Sequence, residues 1–162
     1  MDKLLLIIRI TLDLYGDNLS PHKLLSQLKE SFKFIDSNKK TDVDKIRHRQ
    51  YDFGALSLQH PDCIGIEYKL TEYQKWYIDF ILKNHIAFTT NGVDRVDLFY
   101  NVYYSHQCNF EILDKELLSS ISGLGISFPI SVYQLTKEEL IDLLETEGYS
   151  TFEIREIFRH EP

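Results

Sequence analysis

Apolar positions along this chain change period several times, and each change marks an expected element. Lys3–Leu12 is almost continuously aliphatic. Leu5 and Ile7 make part of its second face apolar, which predicts a central strand covered on both sides at its start. A turn is expected at Tyr15-Gly16-Asp17-Asn18. Ser20 then caps a helix with Pro21 in its first position and Leu24, Leu25 and Leu28 as the buried stripe. Asp36–Lys45 is polar and charged and reads as the one long flexible loop. Strand patterns resume over Ile46–Leu58 and Cys63–Lys69, separated by the turn signal His60-Pro61-Asp62. In the second of these, Ile64, Ile66, Tyr68 and Leu70 share one phase.

Thr71 and Gln74 have the spacing of a capping box for the strongest helix of the chain. Its stripe is Tyr73, Trp76, Tyr77, Phe80, Ile81 and Leu82, running to about Ile86. Asn91-Gly92 turns into a strand over Val93–Tyr104, with Val96, Leu98, Tyr100, Val102 and Tyr104 on one face. Gln107–Leu113 reads as its hairpin partner. Asp114 caps a helix carrying Leu117, Leu118 and Ile121, which Gly123 and Gly125 end. Ile126–Tyr133 is a further strand, and Pro129, which has no amide proton to donate, favours an edge position. Thr136 with Glu139, and Ser150 with Glu153, are boxes for two last helices. The first carries Leu140, Ile141, Leu143 and Leu144 and stops at Gly148; the second carries Phe152, Ile154, Ile157 and Phe158. The expected class is α+β: a mixed, mostly antiparallel sheet with helices packed mainly on one face, and two C-terminal helices flanking the sheet edge.

Composition narrows the picture further. The chain has 162 residues, which favours one globular domain over 1–162, with the C-terminal helices as an appendage at about 136–160. An aromatic content of 13% argues against disorder. Cys63 and Cys108 form no CxxC and no zinc spacing, as expected of reduced thiols. Leu4–Ile10 is too short for a span and lacks a cleavage site, so no signal peptide or membrane segment is expected. A cytoplasmic protein fits best. Charge is unevenly spread: residues 1–50 are net +3, residues 51–100 are −3 and residues 101–162 are −7. A nucleic-acid binder replaces counterions on phosphates with Lys and Arg, and the second half of this chain is poor in both.

No chemical motif stands out: no GxSxG, Walker loop, HExxH or EF-hand spacing is present. The histidines (His22, His48, His60, His85, His106, His160) are scattered and read as structural or solvated. Arg47-His48-Arg49 is the most basic cluster, either a phosphate grip or an edge strand blunted by charge. Asp13 and Asp17 with Asn18 fall short of the ligands a calcium site needs. No cofactor, no metal and no enzymatic activity are expected. The acidic helices carry the best remaining signal, with Glu138, Glu139, Asp142 and Glu145 opposite the apolar stripe and Glu153 and Glu156 extending them. A solvated face explains such residues too. Among the tyrosines, Tyr104 and Tyr149 are candidates for an interface, with a sheet core as the alternative.

In its order of segments the chain resembles an uncharacterised family of small bacterial α+β domains. The pieces that carry the resemblance are Leu4–Leu12, Asp17-Asn18-Leu19-Ser20-Pro21, Leu117–Gly125 and Ile130-Ser131-Val132-Tyr133; the tail after Thr136 is additional. Such domains often stand beside toxin genes as immunity proteins, including those of contact-dependent growth inhibition. The resemblance implies a protein that neutralises a cognate toxin by blocking its active site or substrate groove, and the acidic charge of this chain suits a basic toxin such as a nuclease. The protein itself would bind neither nucleic acid nor membrane, and would be a monomer or weak homodimer when free. Glu138, Glu139, Asp142, Glu145, Glu153, Glu156, Tyr104 and Tyr149 are its expected contacts. The alternatives are a small enzyme or nuclease using Arg47-His48-Arg49, and a scaffold domain.

Overall fold

The aliphatic run near the start of the chain becomes β1 (Leu6–Gly16), the strand around which the sheet is built. In the computed structural model, which describes residues 5–66, 69–106 and 110–159, β1 pairs antiparallel with β5 (Arg95–Tyr104) from Leu6 to Tyr15. On its other side it pairs antiparallel with β3 (Gly54–Gln59) near its end and with β4 (Gly65–Ile66) near its start. β2 (Lys33–Asn38) adds antiparallel to β3 and forms one edge. β6 (Ile126–Ser127) and β7 (Ile130–Gln134) add parallel to β5 at the other. The sheet is mixed and mostly antiparallel, and the fold is α+β.

One face of β1 presents Leu6, Ile8, Ile10, Leu12 and Leu14, all buried. α1 (Pro21–Gln27), α2 (Leu70–Thr90) and α3 (Lys115–Ile121) cover them, contributing Leu24, Tyr73, Tyr77, Phe80, Phe88 and Ile121 among others. With 21 residues, α2 is about 32 Å long and spans the sheet. Two of its tyrosines do more than fill space. Pairing of β1 with β4 ends at Ile8 and pairing with β3 begins at Leu12, so Ile10 has no strand beside it on that side. Tyr77 donates its hydroxyl to the Ile10 carbonyl (2.6 Å), and the Tyr73 oxygen accepts from the Ile10 amide (3.0 Å). The gap in the ladder is closed by side chains, as a buried backbone requires.

The other face of β1 is apolar only at its start. There Leu5 and Ile7 join Ile64 and Ile66 in a second core under α4 (Lys137–Thr146) and α5 (Thr151–Arg159), which supply Leu140, Leu144, Ile154 and Ile157. The expectation of a strand covered on both sides at its start holds. The C-terminal helices, expected at the sheet edge, lie on this second face instead, because Leu5 and Ile7 would otherwise face water.

Several local expectations are corrected. Lys33–Asn38, partly assigned to a loop, is the edge strand β2; with no buried residue it shows no alternation in the sequence. Ile46–Phe53 is not strand, and the chain enters β3 only at Gly54. The Asp44 carboxylate accepts from the Ile46 and Arg47 amides (2.8 and 3.0 Å) and folds the chain back. Arg47-His48-Arg49 therefore lies on an exposed turn, with His48 left-handed at φ 53°. The strand at Cys63–Lys69 reduces to Gly65–Ile66, with Glu67 and Tyr68 outside the described residues. Thr71 and Gln74 form no box, because α2 starts one residue earlier and Gln74 turns inward. Leu82 and Ile86 point outward, and Phe88 extends the buried stripe in their place. Phe110–Leu113 forms no strand, since both edges of β5 are taken by β1 and by β6 and β7; residues 107–109 lie outside the described part. Ile126–Tyr133 is broken at Phe128-Pro129, and Pro129 does sit at an edge.

Candidate partner-binding surface

α4 is positioned by its own sequence. The Thr136 hydroxyl accepts from the Glu139 amide (3.2 Å) and the Glu139 carboxylate from the Thr136 amide (2.7 Å), so the capping box is complete. Leu140 and Leu144 face the second core, which turns Glu138, Asp142 and Glu145 to solvent. Gly148, at φ 90°, ends the helix, and the Ser150–Glu153 box starts α5.

The expected contact residues divide sharply in their duties. Glu139 and Glu153 serve the caps, and their carboxylates bond backbone amides. Hydrogen bonds from Ser150 hold the Glu153 carboxyl below its ordinary pKa. Glu156 pairs with Arg159 (3.0 Å). Glu147, on the same segment, pairs with Arg9, whose guanidinium also lies over the Tyr103 ring at 5.8 Å. Tyr104 packs against the main core and Tyr149 against the second. That leaves Glu138, Asp142 and Glu145, spaced i, i+4 and i+7. Among the described residues their carboxylates have no hydrogen bond or ion pair. The one cation of α4, Lys137, sits over the Phe158 ring at 5.1 Å rather than among them.

A second polar surface was not visible in the sequence. Beyond the cover of α4 and α5, this face of the sheet carries polar side chains, Asp97 buried and Asp13 and Ser57 half-buried. Pairing registers align Asp36, Ser57, Asp13, Asp97 and Ser127 in one row across five strands. Asp13 and Asp97 lie far apart in sequence, and only strand register joins them. Asp13 accepts from the Ser57 hydroxyl (2.6 Å), and Asp97 is held by Arg95 through two bonds (2.8 and 2.6 Å). Burial, against the pull of the Ser57 bond, raises the Asp13 pKa, and the Asp97 charge adds to it. Tyr15 meets Phe53 edge-on (5.4 Å) and lies under Arg95 (5.6 Å), bordering a cavity of about 360 Å³ with Asp17 and Asp94. Asp13 and Asp17, considered together in the sequence, point to different neighbours, since Asp17 pairs with Lys40 (3.2 Å). Among the described residues no cluster of three His, Cys, Asp or Glu is arranged to hold a metal.

The basic turn keeps its charges close to acids. Arg47 pairs with Asp44 (4.0 Å) and Arg49 with Asp52 (3.8 Å). The His48 ring stands exposed between them and makes no hydrogen bond or ion pair among the described residues. Among the described histidines, His60 has a defined place. Its Nδ1 accepts from the Asp62 amide (2.9 Å), and its ring meets Trp76 at 4.9 Å. Burial lowers its pKa, with the nearby Asp62 charge acting the other way. Cys63 is a free thiol; Cys108 and His160 lie outside the described residues. No helix among the described residues is long and apolar enough to cross a membrane. Compared with protein families, with curated proteins and with solved structures, the chain matches none of them.

Proposed function

We propose that this chain is a non-enzymatic inhibitor, an immunity-type protein that binds a basic toxin in the cytoplasm and covers its active site or substrate groove. The observation that carries this reading is the stripe Glu138, Asp142 and Glu145 on α4. Like charges at i, i+4 on a helix repel by a few tenths of a kcal/mol each, and a solvated helix ordinarily intersperses Lys or Arg. Among the described residues the stripe has no counter-ion, while Glu139, Glu147, Glu153 and Glu156 are each engaged. A basic surface would supply the missing cations, raise the rate of encounter and exclude partners of the wrong charge. The alternative through Arg47-His48-Arg49 gains nothing from the turn on which those residues sit, where both arginines already face carboxylates.

The test is affinity capture and titration with the product of the adjacent gene, at low and at high salt. The reading expects a tight complex that weakens as salt rises. The triple reversal Glu138→Lys, Asp142→Lys, Glu145→Lys should weaken it at least tenfold and flatten its salt dependence. Unchanged affinity in that variant would overturn the placement on α4, and no binding by any basic protein would overturn the function.

A further inference from the structure

The two edges of the sheet are built differently. β2 carries Lys33 and Asp36 and is interrupted by a register shift between Phe34 and Asp36. Charges and bulges of this kind are how natural edge strands avoid pairing with other chains. β7 has neither. Ile130–Gln134 contains no charged residue, no proline and no register shift against β5.

The phase of β7 follows from its two flanking bonds. The Tyr100 amide donates to the Pro129 carbonyl (2.8 Å) and the Leu135 amide to the Tyr104 carbonyl (2.8 Å). In a parallel pair, alternate residues turn both backbone groups toward the same neighbour. Ser131 and Tyr133 therefore face β5, and Ile130, Val132 and Gln134 direct their amides and carbonyls away from the sheet. Among the described residues none of those outward groups has a partner. The side chains beside them are open as well: Ile130 is 48% exposed, Val132 51% and Tyr133 45%.

We propose that this edge is a strand-addition site, and that its occupant is an extended cationic segment of the basic partner, which pairs with β7 as a new outer strand. The proposal rests on the inhibitor reading given above and names the geometry of its contact. Charge decides the occupant. A second copy would bring another net −7 and its own acidic helix to the same edge. α4 begins three residues after β7 ends, so the strand and the stripe of Glu138, Asp142 and Glu145 belong to one stretch of chain. A segment alternating basic and apolar residues satisfies both: its backbone fills the free ladder, its apolar residues cover Ile130 and Val132, and its cations meet the acids. Main-chain bonds supply affinity in such additions and the alternate side chains supply selectivity.

The experiment uses the full chain and three synthetic peptides: acetyl-(Lys-Val)4-amide, acetyl-(Glu-Val)4-amide, and the first with its valine amides N-methylated. Binding is followed by titration, and amide exchange is read at Ile130, Val132 and Gln134. The Lys-Val peptide should slow exchange at these three amides at least tenfold; the Glu-Val and N-methylated peptides should not. Val132→Pro removes only an amide that bonds to nothing in the fold, and it should weaken the Lys-Val peptide at least tenfold. Val132→Lys, which leaves the backbone intact, should do the same. Three results would overturn the proposal. One is equal binding by the wild type and both variants, and another is protection elsewhere on the chain. The third is protection at the three amides that appears without peptide and grows with protein concentration, which would assign the edge to a second copy. If the adjacent gene product binds and depends on the acidic stripe while both variants leave that binding unchanged, the edge proposal fails alone. Absence of any basic partner fails the function beneath it.

Discussion

Ile10 shows how single side chains hold this fold together. Its carbonyl and amide lie where no strand pairs with β1, and Tyr77 and Tyr73 complete them. Tyr77 also accepts from the His60 amide (2.8 Å), and Tyr73 donates to the Cys63 carbonyl (2.8 Å), so the pair ties the β3–β4 connection to α2. Burial raises the pKa of both phenols, which stay neutral donors over the ordinary pH range. Tyr77→Phe leaves the Ile10 carbonyl buried without a donor and should cost about 1–3 kcal/mol, measured by urea unfolding. His60 gives a pH-dependent term of definite sign. Its folded pKa lies below the ordinary value of 6.5, so the unfolded chain binds the proton more tightly. The stability it contributes is complete above 6.5 and is lost as pH falls below that value. Stability should therefore drop between pH about 7.5 and about 5.5 by more in the wild type than in His60→Asn, whose Oδ1 replaces the Nδ1 acceptor without titrating. Equal drops would assign the loss to other groups.

At the scale of elements, the local signals that held were those complete within a few residues. Asp114 accepts from the Leu117 amide (2.8 Å), and the Thr136–Glu139 and Ser150–Glu153 boxes form as spaced. Thr136→Ala should cost about 1 kcal/mol, seen as a lower unfolding midpoint. If α4 positions the acidic stripe, the same variant should also weaken partner binding modestly. The Thr71–Gln74 spacing was equally good, yet Gln74 accepts from the Leu113 amide (2.9 Å) instead. That bond holds Leu113 in a left-handed conformation at φ 57°, where the chain enters α3. A buried amide in need of an acceptor outweighed an exposed cap. The edge strand β2 was missed for a related reason, since a strand with no buried side has no alternation to read.

For the whole molecule, the distribution of charge matters more than its sum. The C-terminal segment carries most of the excess acid, and α4 presents part of it without counter-ions among the described residues. An inhibitor acting through this surface should lose affinity steadily with ionic strength, because exposed charges are screened within about 8 Å at physiological salt. Wild type and the triple reversal should differ most at low salt and converge at high salt. The edges of the sheet add a directional element, since β7 leaves a five-residue uncharged ladder open while β2 is charged and bulged.

The class of the fold, the central strand with its doubly covered start, the long aromatic helix and the acidic tail were all legible in the chain. They rest on local periodicity, capping spacings and composition, which act over a few residues to a few turns. Four features were decided elsewhere: the row through Asp13 and Asp97, the parallel addition of β6 and β7, the seat of α4 and α5 on the second face, and the open edge at Val132. Each depends on which strands become neighbours and in what register. Register is chosen by burying all the apolar faces at once, a condition no single segment states.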